Sequence, residues 1–280
     1  MTRRSVVRTF GAVCLALVVM LAAEGCAGSE ELEQLSADQR FDKAMRLYTD
    51  EDYLEAYDEF RIVTLQFQGS TRSDSAQFLM GECRFKREEY LLAAYEYEVL
   101  IRTMPTSKLI PEARYRRALC FYQQSPRYFL DQTATRQAID EFQSFIEYHP
   151  TDSLVTVAEA KITELNTKLA QKEYENGITY MHMEYYKAAA GFFDLVLEKY
   201  HDTPFAEQAQ LKKAEAMLRR NRIQEAKTEI EKFFAKYPGS PLKRDAEALQ
   251  RDILSRGDGK SPETGKPPIA NDRTKQSGKE

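Results

Sequence analysis

The sequence predicts an all-α protein, a solenoid of about five helical hairpins. Glycine and proline are sparse, with 12 Gly and 10 Pro in 280 residues, so few residues are suited to tight β-turns. The chain has no Trp but 16 Tyr and 15 Phe, rings that suit narrow contacts between helices. A pattern of small and aromatic residues also recurs five times, which is typical of a protein built from repeated units.

Each repeat is anchored on an alanine in the second helix of a hairpin. In four repeats a second small residue stands twelve positions before this alanine. In repeat three the distance is twenty positions, which fits if that repeat carries eight extra residues. Small residues at two crossing points allow paired helices to approach closely. The five anchors are Ala56, Ala93, Ala138, Ala189 and Ala226, and the earlier small residues are Ala44, Gly81, Ala118, Gly177 and Ala214.

The end of each repeat has its own signature. Twelve residues after the anchor comes a helix stop, usually proline, and two residues later a side chain that can cap the next helix. The stops are Gln68, Pro105, Pro150, His201 and Pro238, and the caps are Ser70, Ser107, Asp152, Thr203 and Ser240. The combined pattern resembles the tetratricopeptide repeat, with an unrelated amphipathic bundle as the alternative.

Two irregularities divide the chain into blocks. Residues 123–132 lengthen the turn of repeat three, with Pro126 preventing helix continuation and Asp131 placed to cap the following helix. Residues 153–183 lack Pro, and Gly is absent before Gly177, so one long helix is expected. We therefore predict N-terminal repeats 1–3 over residues 37–152 and C-terminal repeats 4–5 over residues 153–255.

The N-terminus predicts export and lipidation. Arginines precede a short apolar run, and Leu21-Ala22-Ala23-Glu24-Gly25-Cys26 resembles a lipobox. Residues 1–25 are then a lipoprotein signal peptide, Cys26 is acylated, and residues 26–36 form a tether. Ala27, in place of the Asp that resembles an inner-membrane retention signal, favours the outer membrane on its periplasmic side. An ordinary signal peptide or an uncleaved anchor is the alternative.

The far C-terminus is expected to be a disordered tail. Residues 256–280 contain one branched apolar side chain, Ile269, and so cannot offset the entropy of ordering by burial.

Several classes of function are disfavoured. A net charge of -4 lacks the excess of Lys and Arg that nucleic acid requires. The three histidines, His149, His182 and His201, have no neighbours at metal-ligand spacing, and no phosphate loop or nucleophile elbow is present. We expect no catalysis, metal or cofactor. Cys83 and Cys120 are interpreted as buried thiols.

A candidate peptide-binding strip lies on the first helices of repeats 1–3. The residues three before and four after each small residue are all aromatic: Phe41, Tyr48, Phe78, Phe85, Tyr115 and Tyr122. Such rings can hold an extended peptide, with Arg84, Lys86, Arg114 and Arg117 nearby for a terminal carboxylate. The alternative is that the rings only pack helix against helix.

The order of these features resembles the BamD family of outer-membrane assembly lipoproteins over about residues 26–255. The likeness is strongest in Ala-Arg-Tyr-Arg-Arg-Ala at 113–118, in Ser125-Pro126, in Asp131-Gln132-Thr133 and in Ala-Ile-Asp-Glu-Phe at 138–142.

The resemblance implies a non-catalytic, periplasm-facing scaffold. Its N-terminal repeats would bind unfolded outer-membrane proteins, and its C-terminal repeats a BamA-like barrel subunit, alongside other assembly-complex lipoproteins. A pilus-assembly pilotin or a cell-envelope coordination factor remains the alternative.

Overall fold

The computed structural model describes residues 35–257, and every regular element in that range is an α-helix. These residues belong to two compact units, separated in sequence between Cys83 and Arg84. The helices are α1 (Ala37–Thr49), α2 (Tyr53–Gln66), α3 (Ser73–Lys86), α4 (Tyr90–Thr103), α5 (Ile110–Gln123), α6 (Thr133–Tyr148), α7 (Val155–His182), α8 (Tyr186–Lys199), α9 (Phe205–Arg219), α10 (Ile223–Lys236) and α11 (Lys243–Gly257).

The all-α prediction is confirmed, and the number of hairpins is close but not exact. Ten helices correspond to the five predicted pairs, while α11 is an additional helix that the repeat pattern did not contain. The long helix is confirmed as α7, Val155–His182. The grouping of repeats into blocks 37–152 and 153–255 stays a prediction.

The small-residue positions explain the packing. All five anchor alanines are fully buried, and the apolar residue four positions after each is also fully buried, at 0% exposure. The earlier small residues are buried too. Ala118 is among them. Residues 124–132 join α5 to α6, whereas three residues join the helices of each other hairpin, so an insertion in repeat three is confirmed.

The predicted stops and caps lie where the chain passes from one hairpin to the next. The second helix of each pair ends two residues before its stop. Four of the five predicted cap side chains accept a backbone N–H two residues on, at 2.9–3.3 Å: Ser70, Ser107, Asp152 and Ser240. They stabilise the turn before the helix and are not its N-caps, because the N-cap residues of α5, α7 and α9 are Leu109, Leu154 and Pro204, without a side-chain cap hydrogen bond. Thr203 differs, because its hydroxyl donates backwards to the carbonyl of Tyr200.

The turn inside four of the hairpins is left-handed at one residue. Glu51, Glu88, Glu184 and Asn221 have φ between 59° and 65°. Each follows the C-cap of a first helix, and the hydrogen bonds of a Schellman motif surround it, as in Asp52 N–H to Leu47 O. Glycine usually occupies this position, so the three glutamates carry backbone strain.

The first unit is built around α1 and α2. Its core holds Phe41, Phe60 and Val63 with the flanking alanines, and the rings of Phe41 and Phe60 meet edge to face at 5.5 Å. Glu59 joins the two helices, since it accepts from Arg40 at 3.1 Å and from Lys43 at 2.6 Å. A capping box between Ser36 and Gln39 begins α1.

In the second unit each helix from α4 to α11 packs on the next one, and α7 also packs on α9. The closest approach is at Gly177 of α7, where a Cβ atom would lie 2.5 Å from the ring of Phe193 on α8. Phe193 is fully buried. The absence of a side chain at residue 177 therefore allows these two helices to pack.

A buried carboxylate links α9 to α10. Burial alone would raise the pKa of Glu229, but hydrogen bonds from Lys232, Gln210 and Lys213 outweigh it and lower the pKa. Lys213 also pairs with Asp194 of α8 at 2.7 Å. This network satisfies the charges in the most buried part of repeat five.

Several predicted segments lie outside the described residues. These are the signal peptide 1–25, Cys26, all but the last two residues of the tether 26–36, and residues 258–280 of the tail. The first two residues of the predicted tail, Arg256 and Gly257, are instead the last residues of α11. Among the described helices, none combines the length and apolar character needed to cross a membrane.

Candidate aromatic binding surfaces

The six predicted rings divide into two groups. The first ring of each pair is buried: Phe41 is 7% exposed, and Phe78 and Tyr115 are each 8% exposed. The second rings, Tyr48, Phe85 and Tyr122, are half-buried. The first group therefore serves the core, and only the second group offers surface to a ligand.

The half-buried rings have aromatic neighbours at the ends of their helices. Tyr48 meets Tyr53 edge to face at 5.4 Å in the first unit. In the second unit, Phe85 meets Tyr90 in the same way at 5.2 Å. Each pair brackets a left-handed turn, so the ring at the end of one helix covers the start of the next.

Tyr122 is the most strongly held ring of the predicted set. Its hydroxyl donates to the carboxylate of Glu164 on α7 at 2.8–2.9 Å, and the ammonium of Lys161 lies 3.8 Å from its ring centroid. Burial and the bond to Glu164 raise the pKa of Tyr122 to about 12. Both Tyr122 and Tyr115 contact Phe142 of α6.

The arginines predicted to hold a terminal carboxylate are engaged inside the second unit. Arg84 pairs with Glu89, and Arg117 pairs with Glu98 and Glu141. The guanidinium of Arg114 lies over the ring of Tyr148 at 4.1 Å. Arg84 and Arg117 are therefore paired with carboxylates, whereas Arg114 contacts a ring, and their role in holding a terminal carboxylate stays a prediction.

A second aromatic surface was not predicted from the sequence. At the turn between α7 and α8 an open pocket of about 750 Å³ has mainly apolar walls. Its lining includes Tyr180, Glu184, Tyr185, Tyr186, Lys187 and Arg220. The predicted rings stand three before and four after the small residue of each repeat, whereas Tyr180 stands three after Gly177.

The pocket is shaped by the left-handed turn at Glu184. The turn carries Tyr185 into solvent, where it is 64% exposed. Tyr180 is held by stacking on Phe192, with centroids 5.2 Å apart and planes 16° from parallel. The pocket is lined by the two cations Lys187 and Arg220 and by one carboxylate, Glu184, and within residues 35–257 neither cation forms an ion pair within 4 Å.

The titratable groups show little that suggests chemistry. In the described range no three His, Cys, Asp or Glu residues are grouped so as to hold a metal ion. His149 is half-buried, and burial together with nearby Arg114 lowers its pKa, while His182 and His201 are exposed. Both Cys83 and Cys120 are fully buried, as predicted.

Comparison with known families identifies the chain. A family model described as YfiO, outer membrane lipoprotein, matches residues 33–216, which is more than half of the sequence. The chain belongs to the YfiO family of outer membrane lipoproteins. A tetratricopeptide-repeat model also matches residues 208–240, which contain most of α9 and all of α10, so the repeat type predicted from the sequence is confirmed there.

Members of known function resemble the chain along most of its length. A Caulobacter vibrioides protein named outer membrane protein assembly factor BamD is 29% identical, covering 86% of this chain and 81% of that protein. A Rickettsia prowazekii protein of the same name is 24% identical, covering 80% and 90%. The resemblance to the BamD family inferred from the sequence is confirmed.

Solved structures share the helical-repeat character more loosely. The TPR2AB domain of yeast Sti1 is 13% identical with a TM-score of 0.41, covering 80% of this chain and 84% of that one. TTC0263 of Thermus thermophilus is 14% identical with a TM-score of 0.32, covering 78% and 99%. These scores are too low to support a functional argument.

Proposed function

We propose that this YfiO-family protein is a non-catalytic subunit of the machinery that assembles β-barrel proteins in the outer membrane. The observation that carries the proposal is the likeness to the Caulobacter assembly factor along 86% of the chain. The structure supports a binding role, because its helical pairs leave aromatic rings partly exposed on a body rich in paired charges.

The body is held at the membrane by a lipid on Cys26 and faces the periplasm. The family description as outer membrane lipoproteins supports this anchor, as does the resemblance of residues 21–26 to a lipobox. Each buried methylene of an acyl chain contributes about 0.8 kcal/mol, so several chains on one cysteine would keep the protein at the bilayer.

The tyrosine pocket between α7 and α8 is the site for a BamA-like barrel subunit. Three tyrosines at one turn provide rigid apolar surface at a low cost in conformational entropy. Arg220 and Lys187 at the rim favour a partner with acidic residues next to its anchoring side chain. The pocket lies in repeats 4–5, the part of the chain expected to dock this subunit.

The half-buried rings Tyr48, Phe85 and Tyr122 are the sites for unfolded outer-membrane proteins. Their exposed edges can stack on the aromatic side chains of an extended segment. Phe41, Phe78 and Tyr115 contribute by supporting these rings from the core. Other lipoproteins of the same complex are expected as further partners.

Crosslinked co-purification of the acylated protein from membranes tests this function. We expect the wild-type chain to recover a large β-barrel subunit, and the double variant Tyr180→Ala with Tyr185→Ala to recover much less. Loss of two central aromatic anchors typically costs about 2 kcal/mol or more, which is at least a thirtyfold change in affinity. Tyr95→Ala, which removes a tyrosine of similar exposure from α4, is the matched control.

A separate variant tests the proposed lipid anchor. Cys26→Ser should move the protein from the membrane to the soluble periplasmic fraction while leaving its helix content unchanged. Recovery of pilus or peptidoglycan factors in place of a barrel subunit would contradict the assembly role and support the alternative.

A further inference from the structure

The inserted loop of repeat three, residues 124–132, is fixed by one buried amide. Gln132 is fully buried, and its Nε2 donates to the carbonyls of Arg127, Leu130 and Tyr128 at 2.8, 3.1 and 3.3 Å. Its Oε1 accepts from the hydroxyl of Thr135 at 2.7 Å. The two N–H groups of this one amide are thus shared among three loop carbonyls that an ordinary surface loop leaves to water.

The loop is also fastened at both ends. At its start, Ser125 shares a hydrogen bond with Thr135 of α6 at 2.7 Å and accepts from the ammonium of Lys168 at 2.8 Å. At its far end, Lys172 donates to the carbonyl of Leu130 at 2.6 Å. Both lysines belong to α7, so the insertion is held against the long helix.

This fixed loop places two adjacent apolar side chains in solvent. Phe129 is 59% exposed and Leu130 is 49% exposed, while the ring of Tyr128 supports Phe129 edge to face at 5.5 Å. Preordered apolar groups lose little further entropy when a partner binds, which is the property of strong interface anchors.

The surroundings of the loop are positively charged although the whole chain is acidic. Arg127, Arg136, Lys168 and Lys172 lie on or beside the loop. In the described chain none of the four forms an ion pair within 4 Å, and the two lysines bond to a hydroxyl and a carbonyl. Asp131 is near enough to Arg136 and Lys172 for their charges to help lower its pKa, which leaves an excess of positive charge around the loop. Asp131 is the acid of the loop, and its side chain accepts the backbone N–H of Thr133 at 2.9 Å. The N-cap residue of α6 is Gln132, so the prediction of Asp131 as the N-cap is wrong by one residue.

We propose that this loop is a second docking point for the barrel subunit, recognising an acidic polypeptide segment that carries a large apolar side chain. The apolar side chain packs against Phe129 and Leu130, and its flanking carboxylates meet Arg127, Arg136 and the two lysines. The inference rests on the proposed function for the identity of the partner.

Its position allows one partner to contact both sites. Lys172, which holds Leu130, and Tyr180, which lines the pocket, are eight residues apart on α7, a rise of about 12 Å at 1.5 Å per residue. An extended segment of four residues covers a similar length at about 3.3 Å per residue. Eight residues also rotate the position by about 80° around α7, so the loop and the pocket are two separate docking points on the second unit.

Binding of the purified periplasmic domains of the barrel subunit to the full-length acylated protein in detergent tests the inference. The double variant Phe129→Ser with Leu130→Ser should weaken binding at least tenfold. The variant Arg127→Glu with Arg136→Glu should weaken it and reduce its salt dependence. Leu254→Ser and Arg251→Glu, which change exposed side chains of α11, are the matched controls.

The outcomes are distinct. Unchanged binding by the Phe129 and Leu130 variant, with a normal melting temperature, overturns the inference and leaves the proposed function standing. Failure of the wild-type protein to bind the barrel domains contradicts the proposed function itself. If the loop variants lose binding only to phosphatidylglycerol vesicles, the loop contacts membrane and the inference is wrong.

Discussion

Replacement of Gly177 by alanine tests the packing of α7 on α8. The new Cβ would lie 2.5, 2.9 and 2.9 Å from three carbons of the Phe193 ring, whereas carbon atoms normally approach to about 3.5–4.0 Å. The ring must retreat by about 1 Å, and it is fully buried. Overpacking of this kind costs about 1–3 kcal/mol.

A matched glycine separates this cost from helix propensity. Gly191 lies in α8, and a Cβ there would meet no atom within 4 Å, so Gly191→Ala should stabilise by about 1 kcal/mol through helix propensity alone. Gly177→Ala gains the same propensity but adds the clash. The free energies of unfolding of the two variants should therefore differ by about 1–3 kcal/mol.

Urea unfolding followed by circular dichroism measures this difference. Thermal melting provides a second measurement, since each kcal/mol shifts the melting temperature by about 2–4 °C in a protein of this size. A smaller side chain at residue 193 should reduce the difference in a double-mutant cycle. If Gly177→Ala stabilises the protein as much as Gly191→Ala does, the described contact between α7 and α8 is incorrect.

Five further variants test other parts of the fold. Glu51→Gly should raise the free energy of unfolding in urea by about 1 kcal/mol, because a left-handed residue with a side chain costs about 1–2 kcal/mol. Glu55→Gly, the control inside α2, should lower the free energy of unfolding by a similar amount. Glu229→Gln should lower stability at pH 7 by about 1–3 kcal/mol. The folded-state pKa of Glu229 is lowered, so its contribution to stability is present above the unfolded pKa and is lost as pH falls through the folded pKa. Below about pH 4.5 the unfolding free energy of the variant should therefore fall less steeply with pH than that of the wild type. Unfolding free energy measured against pH tests this. Phe78→Ala should lower the free energy of unfolding by about 3–5 kcal/mol as a core deletion, and Phe85→Ala should lower it clearly less. Of the two variants, only Phe85→Ala should weaken binding of an aromatic-ended peptide more than it lowers stability.

The repeat architecture could be predicted because its signals are local and steric. A small residue is needed wherever two helices cross closely, so Ala56 and its equivalents mark the crossings in the sequence itself. The insertion in repeat three was predicted for the same reason, since Ala118 and Ala138 are too far apart for a short turn. The ends of the second helices could be predicted because proline lacks a backbone N–H and clashes with the preceding turn.

The left-handed turns could not be predicted, because Glu51, Glu88 and Glu184 lack the glycine that normally signals a positive φ. The surrounding packing holds them in that conformation. The tyrosine pocket was missed because its walls come from the end of α7, a turn, and Arg220 beyond α9. No single helical period contains all of these residues.

The aromatic strip was predicted only as a set of residue types. Phe41 and Tyr48 lie on one face of α1 at helical spacing, and the sequence does not distinguish them. The structure does, because Phe41 lies in the middle of its helix against Phe60, whereas Tyr48 lies at the end, where fewer neighbours cover it. The same difference separates Tyr115 from Tyr122 on α5.

The central claim is that this chain promotes membrane assembly of other polypeptides by binding them. Folding of an unfolded outer-membrane protein into vesicles that contain the barrel subunit, with and without the acylated chain, tests it most directly. Folding should be faster and more complete when the wild-type chain is present, and the double variant Tyr180→Ala with Tyr185→Ala should lose that gain. Equal folding rates with and without the chain would contradict it.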